Sequence, residues 1–187
     1  MAAKKKAAKP AKKVVSKVKA KAKAAPTKVR AKALPIPKGY HALTPSLVVD
    51  GATKAIAFYK NAFGAKQKSV MSSPDGKIMH AELQIGDSFL MLSDEFPDMG
   101  AKSPKTLGGV GYSTMIYTKN VDKLFDQAVK AGAKVLMPVT DMFWGDRYGR
   151  VEDPFGHQWQ LATHKEDLTP KQMAKRAAAA MAPPAQA

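Results

Sequence analysis

Two side chains that can carry protons or bind metal ions lie two residues apart, His80 and Glu82, within the segment Ile78–Ile85. If this segment is a strand, alternation places His80, Glu82 and Gln84 on one face. Glu82 would then act as a general base or a metal ligand, with His80 as proton carrier or second ligand. The alternative is a hydrogen-bonded polar wall without catalysis, since two ligands are fewer than a metal site uses. The opposite face is expected to pack under a helix through Met79, Ala81, Leu83 and Ile85.

A second polar pair follows the turn sequence Asp153-Pro154-Phe155-Gly156. Proline fixes φ in such a turn, and glycine accepts the positive φ that completes it. In the strand after the turn, Gln158 and Gln160 share one face. We expect these amides to face a cleft, with Trp159 in the core and His157 hydrogen-bonded within the turn.

The strand before this turn carries Arg147, and Trp144 precedes that strand. With Phe143, Trp144 forms either an aromatic lid over an organic ligand or a cover for the sheet edge, and the sequence leaves both open. Arg147 has a planar guanidinium that suits an anionic group of a substrate. An ion pair with Asp146 or Glu152 is the alternative.

The elements that must position these residues occur twice along the chain, at a spacing of about 68 residues. Apolar periodicity and turn residues predict the order strand, helix, and then three strands in each half. Each helix ends at a matched sequence, Phe63-Gly64-Ala65-Lys66 and Ala131-Gly132-Ala133-Lys134, in which glycine suits the residue after the helix. The predicted elements are Thr44–Asp50, Ala52–Phe63, Ala65–Met71, Ile78–Ile85 and Ser88–Ser93, and then Tyr112–Thr118, Val121–Ala131, Val135–Val139, Arg147–Glu152 and His157–Thr163.

This duplicated βαβββ unit, the end of the first helix and the Asp-Pro-Phe-Gly-His sequence resemble the vicinal oxygen chelate superfamily, which includes glyoxalase I, bleomycin- and fosfomycin-resistance proteins and extradiol dioxygenases. The sequence Phe143–Arg150 is similar to the PhnB-like subgroup. The resemblance covers residues 42–164. It implies an α+β fold in which two modules form a partly closed barrel of mixed sheet around a cleft, commonly completed in a homodimer. It also implies lyase or dioxygenase-like activity as one possibility for an enzyme.

Active members of this superfamily typically place metal ligands on the first and fourth strands of each module. The resemblance puts these positions near Thr44, Glu82, Ser113 and Gln160. Only Glu82 keeps a side chain that Zn²⁺ or Ni²⁺ prefers. We therefore expect one divalent metal ion at Glu82, or none. The predicted cleft residues are Thr44, Ser46, His80, Glu82, Ser113, Trp144, Arg147, Gln158 and Gln160.

Three functions stay open from the sequence. The first is a glyoxalase-like protein that binds or transforms a small organic molecule, with Glu82 and His80 as catalytic residues. The second is a metal-free protein that sequesters its ligand, as drug-resistance proteins of the superfamily do. The third is a nucleoid-associated protein that binds DNA through its N-terminal segment.

That segment, residues 1–38, contains fourteen basic residues and no acidic one, whereas the net charge of the whole chain is +16. Its composition of Lys, Ala and Pro predicts a disordered tail, similar to those of linker-histone-like proteins. A flexible polycation binds phosphate backbones without reading bases. The alternative is a solubilising tail. The lysines expected to contact DNA first are Lys4, Lys5, Lys6, Lys9, Lys12 and Lys13.

The rest of the chain is predicted as one domain over residues 40–164 and a C-terminal extension over 165–187, in which Thr169 caps a helix over Asp167–Ala180. The chain has no cysteine, which excludes disulfides and thiolate chemistry. No apolar run reaches the length of a membrane span, and no secretory signal begins the sequence. We therefore expect a cytoplasmic protein.

Overall fold

Residues 33–182 are described by a computed structural model. The first module consists of β1 (Ser46–Val49), α1 (Ala52–Phe63), β2 (Lys66–Ser72), β3 (Ile78–Ile85) and β4 (Ser88–Asp94). The second consists of β5 (Ser113–Tyr117), α3 (Val121–Lys130), β6 (Lys134–Asp141), β7 (Asp146–Glu152) and β8 (Gln158–His164). Between them lie a 3₁₀ turn (Pro97–Met99) and the short helix α2 (Pro104–Leu107), and the helix α4 (Pro170–Ala180) follows the second module.

Each module contains one four-stranded mixed sheet, with strand orders β1-β4-β3-β2 and β5-β8-β7-β6. The first and last strands of each module pair in parallel, and the remaining pairs are antiparallel. The predicted α+β fold of two βαβββ modules is confirmed. The two sheets are separate and do not close into a barrel. Within residues 33–182, no helix is long and apolar enough to cross a membrane.

The core lies between each sheet and its helix. In the first module, α1 buries Ile56, Tyr59 and Phe63 against strand residues that include Leu47 and Leu83. A carboxylate from the last strand completes the start of this helix: Asp94 Oδ1 accepts hydrogen bonds from the backbone N–H groups of Gly51 and Ala52. The helix needs this distant acceptor because its own N-cap residue is a glycine.

Most predicted elements are confirmed to within about two residues, and α4 starts at Pro170 rather than Asp167, with Thr169 as its cap. One expectation about β3 is wrong. Met79 is exposed, whereas Ile78 is buried, because the pairing of β2 with β3 shifts register between Met71 and Ser72. The shift interrupts the alternation at the start of the strand. The 3₁₀ turn and α2 were not predicted.

The turn between β7 and β8 joins the two modules through the buried carboxylate of Asp153. One oxygen, Oδ2, accepts hydrogen bonds from Tyr59 Oη of α1 at 2.7 Å and from Trp159 Nε1 of β8 at 2.9 Å. The other, Oδ1, accepts the backbone N–H groups of Phe155 and His157. A buried carboxylate is stable only when donors surround it, and this one has four.

Replacing Asp153 should therefore destabilise the whole fold. Asp153→Ala leaves four donors without an acceptor and is expected to lower the free energy of unfolding by about 3 kcal/mol or more. Asp153→Asn keeps one oxygen and should cost less. Tyr59→Phe, the control, removes one donor and should cost about 1 kcal/mol. Urea unfolding measures all three, and an Asp153→Ala protein as stable as Tyr59→Phe would contradict this role.

Candidate functional site

Each sheet has a second face, opposite its helix, which we call the open face of that module. On the open face of the first module, Ser46 and Glu82 are both aligned with Met91, one on each side of β4. His80 lies two residues before Glu82, and its Nε2 is 3.4 Å from Glu82 Oε1. The structure therefore brings together three residues predicted for the site, Ser46, His80 and Glu82.

The pKa of Glu82 is influenced by two residues that the sequence did not indicate, Tyr40 and Ser69. Hydrogen bonds from Tyr40, Ser69 and His80 hold the pKa of Glu82 below its ordinary value. Tyr40 lies on the segment before β1 and stacks on Phe89 with ring centroids 4.1 Å apart. Burial and the hydrogen bond to Glu82 raise the pKa of Tyr40 to about 12. The stacking of Tyr40 on Phe89 thus holds the segment before β1 against the sheet.

Thr44 belongs to the same segment, and its hydroxyl donates to the backbone carbonyl of His41 at 3.4 Å. A cavity of about 490 Å³ separates this segment from the sheet and is lined by Thr44, Glu82 and Met91 together with His41. Thr44 is therefore near Glu82, but its hydroxyl is engaged with the backbone.

The open face of the second module carries a connected row of polar side chains. The amide of Gln160 donates to Ser113 Oγ. Arg150 is aligned with Gln160 across β7 and β8, and its Nη2 donates to Gln158 Oε1 at 2.7 Å. All four side chains are partly accessible to solvent. The structure thus brings together the predicted residues Ser113, Gln158 and Gln160, and it adds Arg150.

Trp144 lies at the far end of the same face. Its Nε1 donates to the buried carboxylate of Asp146 at 3.1 Å, and its ring packs edge-on against Tyr148. Asp146 also accepts from Tyr117 Oη and contacts His164 Nδ1 at 2.7 Å. Hydrogen bonds to Asp146 and then to Asp167 raise the pKa of His164. This cluster fixes the indole at the edge of the face.

Arg147 is not part of either open face. Its guanidinium donates to Asp122 of α3 at 2.6 and 2.8 Å and to Asp141 at 3.2 Å. Helix α3 packs on the opposite side of the sheet, where a Cβ atom at Gly149 would lie 2.9 Å from the ring of Phe125. The expected ion pairs with Asp146 or Glu152 are wrong, because residues 147 and 149 face the helix whereas 146, 148 and 150 face away.

The lysines predicted to contact DNA, from Lys4 to Lys13, lie outside the described residues.

A known protein family matches residues of both modules of the described fold. The sequence profile of the Glyoxalase/Bleomycin resistance protein/Dioxygenase superfamily matches residues 40–161. This chain belongs to that superfamily.

The chain is also similar to several proteins and solved structures. The uncharacterized protein Mb0911c of Mycobacterium bovis is 47% identical over 123 residues, which are 64% of this chain and 81% of that protein. The crystal structure of PA1353 from Pseudomonas aeruginosa is 26% identical, covers 66% of this chain and 98% of its own, and has a TM-score of 0.55. A PhnB protein from Bacillus cereus, named a putative 3-demethylubiquinone-9 3-methyltransferase, shares the fold, with 19% identity over 66% of this chain and 99% of its own and a TM-score of 0.51.

The metal that the glyoxalase superfamily implies does not fit the residues present. Glu82 lies on the third strand of its module, and the open-face residue next to Ser46 on the fourth strand is Met91. In the second module, the corresponding surface offers Ser113, Gln158 and Gln160, whose neutral oxygens are weak ligands for Zn²⁺ or Ni²⁺. Residues 33–182 contain no group of three or more His, Cys, Asp or Glu side chains placed to hold a metal ion.

A larger cavity, of about 670 Å³, lies between the two modules of this glyoxalase-superfamily fold beside β5. Apolar side chains form most of its wall, among them Phe63, Phe89 and Trp159. Met115 and Tyr117 also line it, and Met115 is aligned with Gln160 on β8. The apolar cavity therefore borders β5, the strand that also carries Ser113 of the polar row.

Sequence reasoning missed Arg150 and Tyr40. The signal for Arg150 was present, because a turn over Asp153–His157 aligns Glu152 with Gln158 and therefore Arg150 with Gln160. Counting from the turn thus selects Arg150 over Arg147. No comparable signal existed for Tyr40, since its partners Glu82 and Phe89 are more than 40 residues away in the sequence.

Proposed function

We propose that this protein binds a small organic molecule on the open face of its second module, with no resident metal ion. The observation that carries the proposal is the connected row of Ser113, Gln160, Gln158 and Arg150 beside an apolar cavity. Ligand sites combine apolar walls with a few polar groups that fix orientation, and this surface offers both. The ligand's polar part would contact the row, and its apolar part would lie toward Met115.

The open face of the first module supports a binding role more than a catalytic one. A general base works best when its pKa lies near the operating pH. The pKa of Glu82 is lowered by hydrogen bonds from Tyr40, Ser69 and His80, which makes its carboxylate a weaker base. The contacts of Glu82 match the alternative given by the sequence, a hydrogen-bonded polar surface without catalysis. This favours ligand sequestration over acid–base catalysis through Glu82 and His80.

The proposal includes a homodimer. The polar row is partly accessible to solvent in the single chain, and β2 is exposed along its whole length at a sheet edge. Members of the superfamily commonly complete the cleft with a second chain. Sedimentation equilibrium distinguishes a pair of chains from a single chain.

The binding proposal predicts that ligand affinity depends on the side chain of Gln160 and not on that of Glu82. Fragment hits found by ligand-observed NMR are titrated against the wild type and three variants. Gln160→Leu removes an amide that bonds within the row, so affinity should fall by about fivefold to tenfold. Gln84→Leu, the same change on the other open face, is the control and should leave affinity unchanged, as should Glu82→Ala.

The same titrations after dialysis against a chelator test the absence of a metal requirement. We expect unchanged affinity, since no described residues form a metal site. Binding that disappears with the chelator and returns with Zn²⁺ or Ni²⁺, or that requires Glu82, would overturn the metal-free proposal in favour of a metal-dependent or catalytic site.

A second proposed function is contact with nucleic acid through residues 1–38, which would place the protein on the nucleoid. The supporting observation is that fourteen of the sixteen net positive charges lie in this segment, so the remaining residues are close to neutral. Polycations bind DNA by releasing counterions, independently of base sequence.

Salt dependence tests this second function. If about ten lysines contact phosphates, log K should fall with log salt concentration at a slope near −9. Deleting residues 1–38 should abolish the binding. DNA affinity that persists without these residues would contradict the assignment, and affinity that prefers one base sequence would contradict its mechanism.

A further inference from the structure

Arg150 differs from the other arginines of the described residues in its charge balance. Arg147 is paired with Asp122 and Asp141, and Arg176 is paired with Glu166. Within residues 33–182, no carboxylate oxygen lies within 4 Å of Arg150. Its positive charge is therefore not balanced by an ion pair within that part of the chain.

The guanidinium of Arg150 is also incompletely hydrogen-bonded. Its Nη2 donates to Gln158 Oε1, while its Nε is buried and has no partner among the described residues. A buried donor without an acceptor is unfavourable and rare in folded proteins. The bond to Gln158 fixes the orientation of the planar group, so its remaining terminal N–H groups keep defined directions.

The surroundings of Arg150 suit an oxygen anion attached to an aromatic or apolar group. Gln158 and Gln160 flank the guanidinium, and Tyr148 precedes it by two residues on the same face. Burial raises the pKa of Tyr148, and the positive charge of Arg150 offsets part of that rise. Guanidinium groups bind carboxylates and phosphonates through two parallel hydrogen bonds.

We infer that Arg150 is the ligand-binding residue that selects an organic anion, with carboxylate, phosphonate or phosphate oxygens accepting hydrogen bonds from the terminal nitrogens of its partly accessible guanidinium. This inference rests on the proposed function and narrows it from any small organic molecule to an acidic one. Gln158 acts as a positioning residue that holds the guanidinium fork. Binding of the anionic group, which the sequence suggested for Arg147, is thus assigned to Arg150 on the other face of the strand.

The test uses three probes of one shape: benzoate, phenylphosphonate and neutral benzamide, titrated by NMR into the full chain in a buffer free of carboxylate and phosphate. Wild-type protein should bind both anions more tightly than benzamide. Arg150→Gln should weaken the anions by about tenfold or more and leave benzamide unchanged. Arg147→Gln, the matched control on the helix face, should leave all three affinities unchanged.

Arg150→Lys keeps the charge but loses the Nε–H donor and the planar fork, so it should give intermediate anion affinity. If urea unfolding shows that Arg150→Gln does not fold, this variant tests the role of Arg150 in its place. The inference is overturned if the wild type binds benzoate and benzamide with equal affinity. It is also overturned if Arg150→Gln keeps the wild-type affinity for the anions, or if Arg150→Lys does. In each of these cases, binding of benzamide leaves the proposed function standing. No binding of any probe by the wild type contradicts both.

Discussion

The carboxylate of Asp153 is the interaction on which the rest of this structure depends. It is buried at the junction of the modules and accepts hydrogen bonds from α1, from β8 and from two backbone groups of its own turn. Removing an ion from water costs several kcal/mol, which is offset only when good donors surround it. The four donors come from both modules, so the carboxylate links the turn, the helix and the strand.

The same turn determines which residues reach the open face. The backbone N–H of Asp153 donates to the carbonyl of His157, which fixes the pairing of β7 with β8. Trp159 must face the core to reach Asp153, and it is almost fully buried. Since side chains alternate along a strand, Gln158 and Gln160 must face the other way. The hydrogen bond from Trp159 to Asp153 therefore determines that the polar row lies on the open face.

The two open faces share a topology but differ in how their charged side chains are paired. In the first module, Tyr40, Ser69 and His80 of the same chain stabilise the charged form of Glu82 and lower its pKa. In the second, Arg150 has no carboxylate partner among the described residues and donates to the neutral amide of Gln158. A partly accessible guanidinium without an ion pair favours a ligand that carries an anionic group. This difference is why the second module is the proposed ligand surface.

Local patterns predicted nearly all of the strands and helices, because the periodicity of apolar residues and the glycines after each helix act within a short window. They also placed Gln158 and Gln160 on one face and Trp159 in the core. What they could not predict was set by distant contacts: the segment around Tyr40 lies on Glu82, and Asp122 of α3 binds Arg147. The irregular pairing of β2 with β3 likewise changed the burial of Met79.

The most direct test of the central claim is to map the bound ligand by NMR, following the side-chain N–H signals of Gln158, Gln160 and Arg150 Nε while benzoate is added. The account predicts that these three signals shift together, with the same apparent affinity, while the side-chain amide of Gln84 on the other open face stays unchanged. Shifts confined to the first module, or to the residues around Glu82, would contradict it.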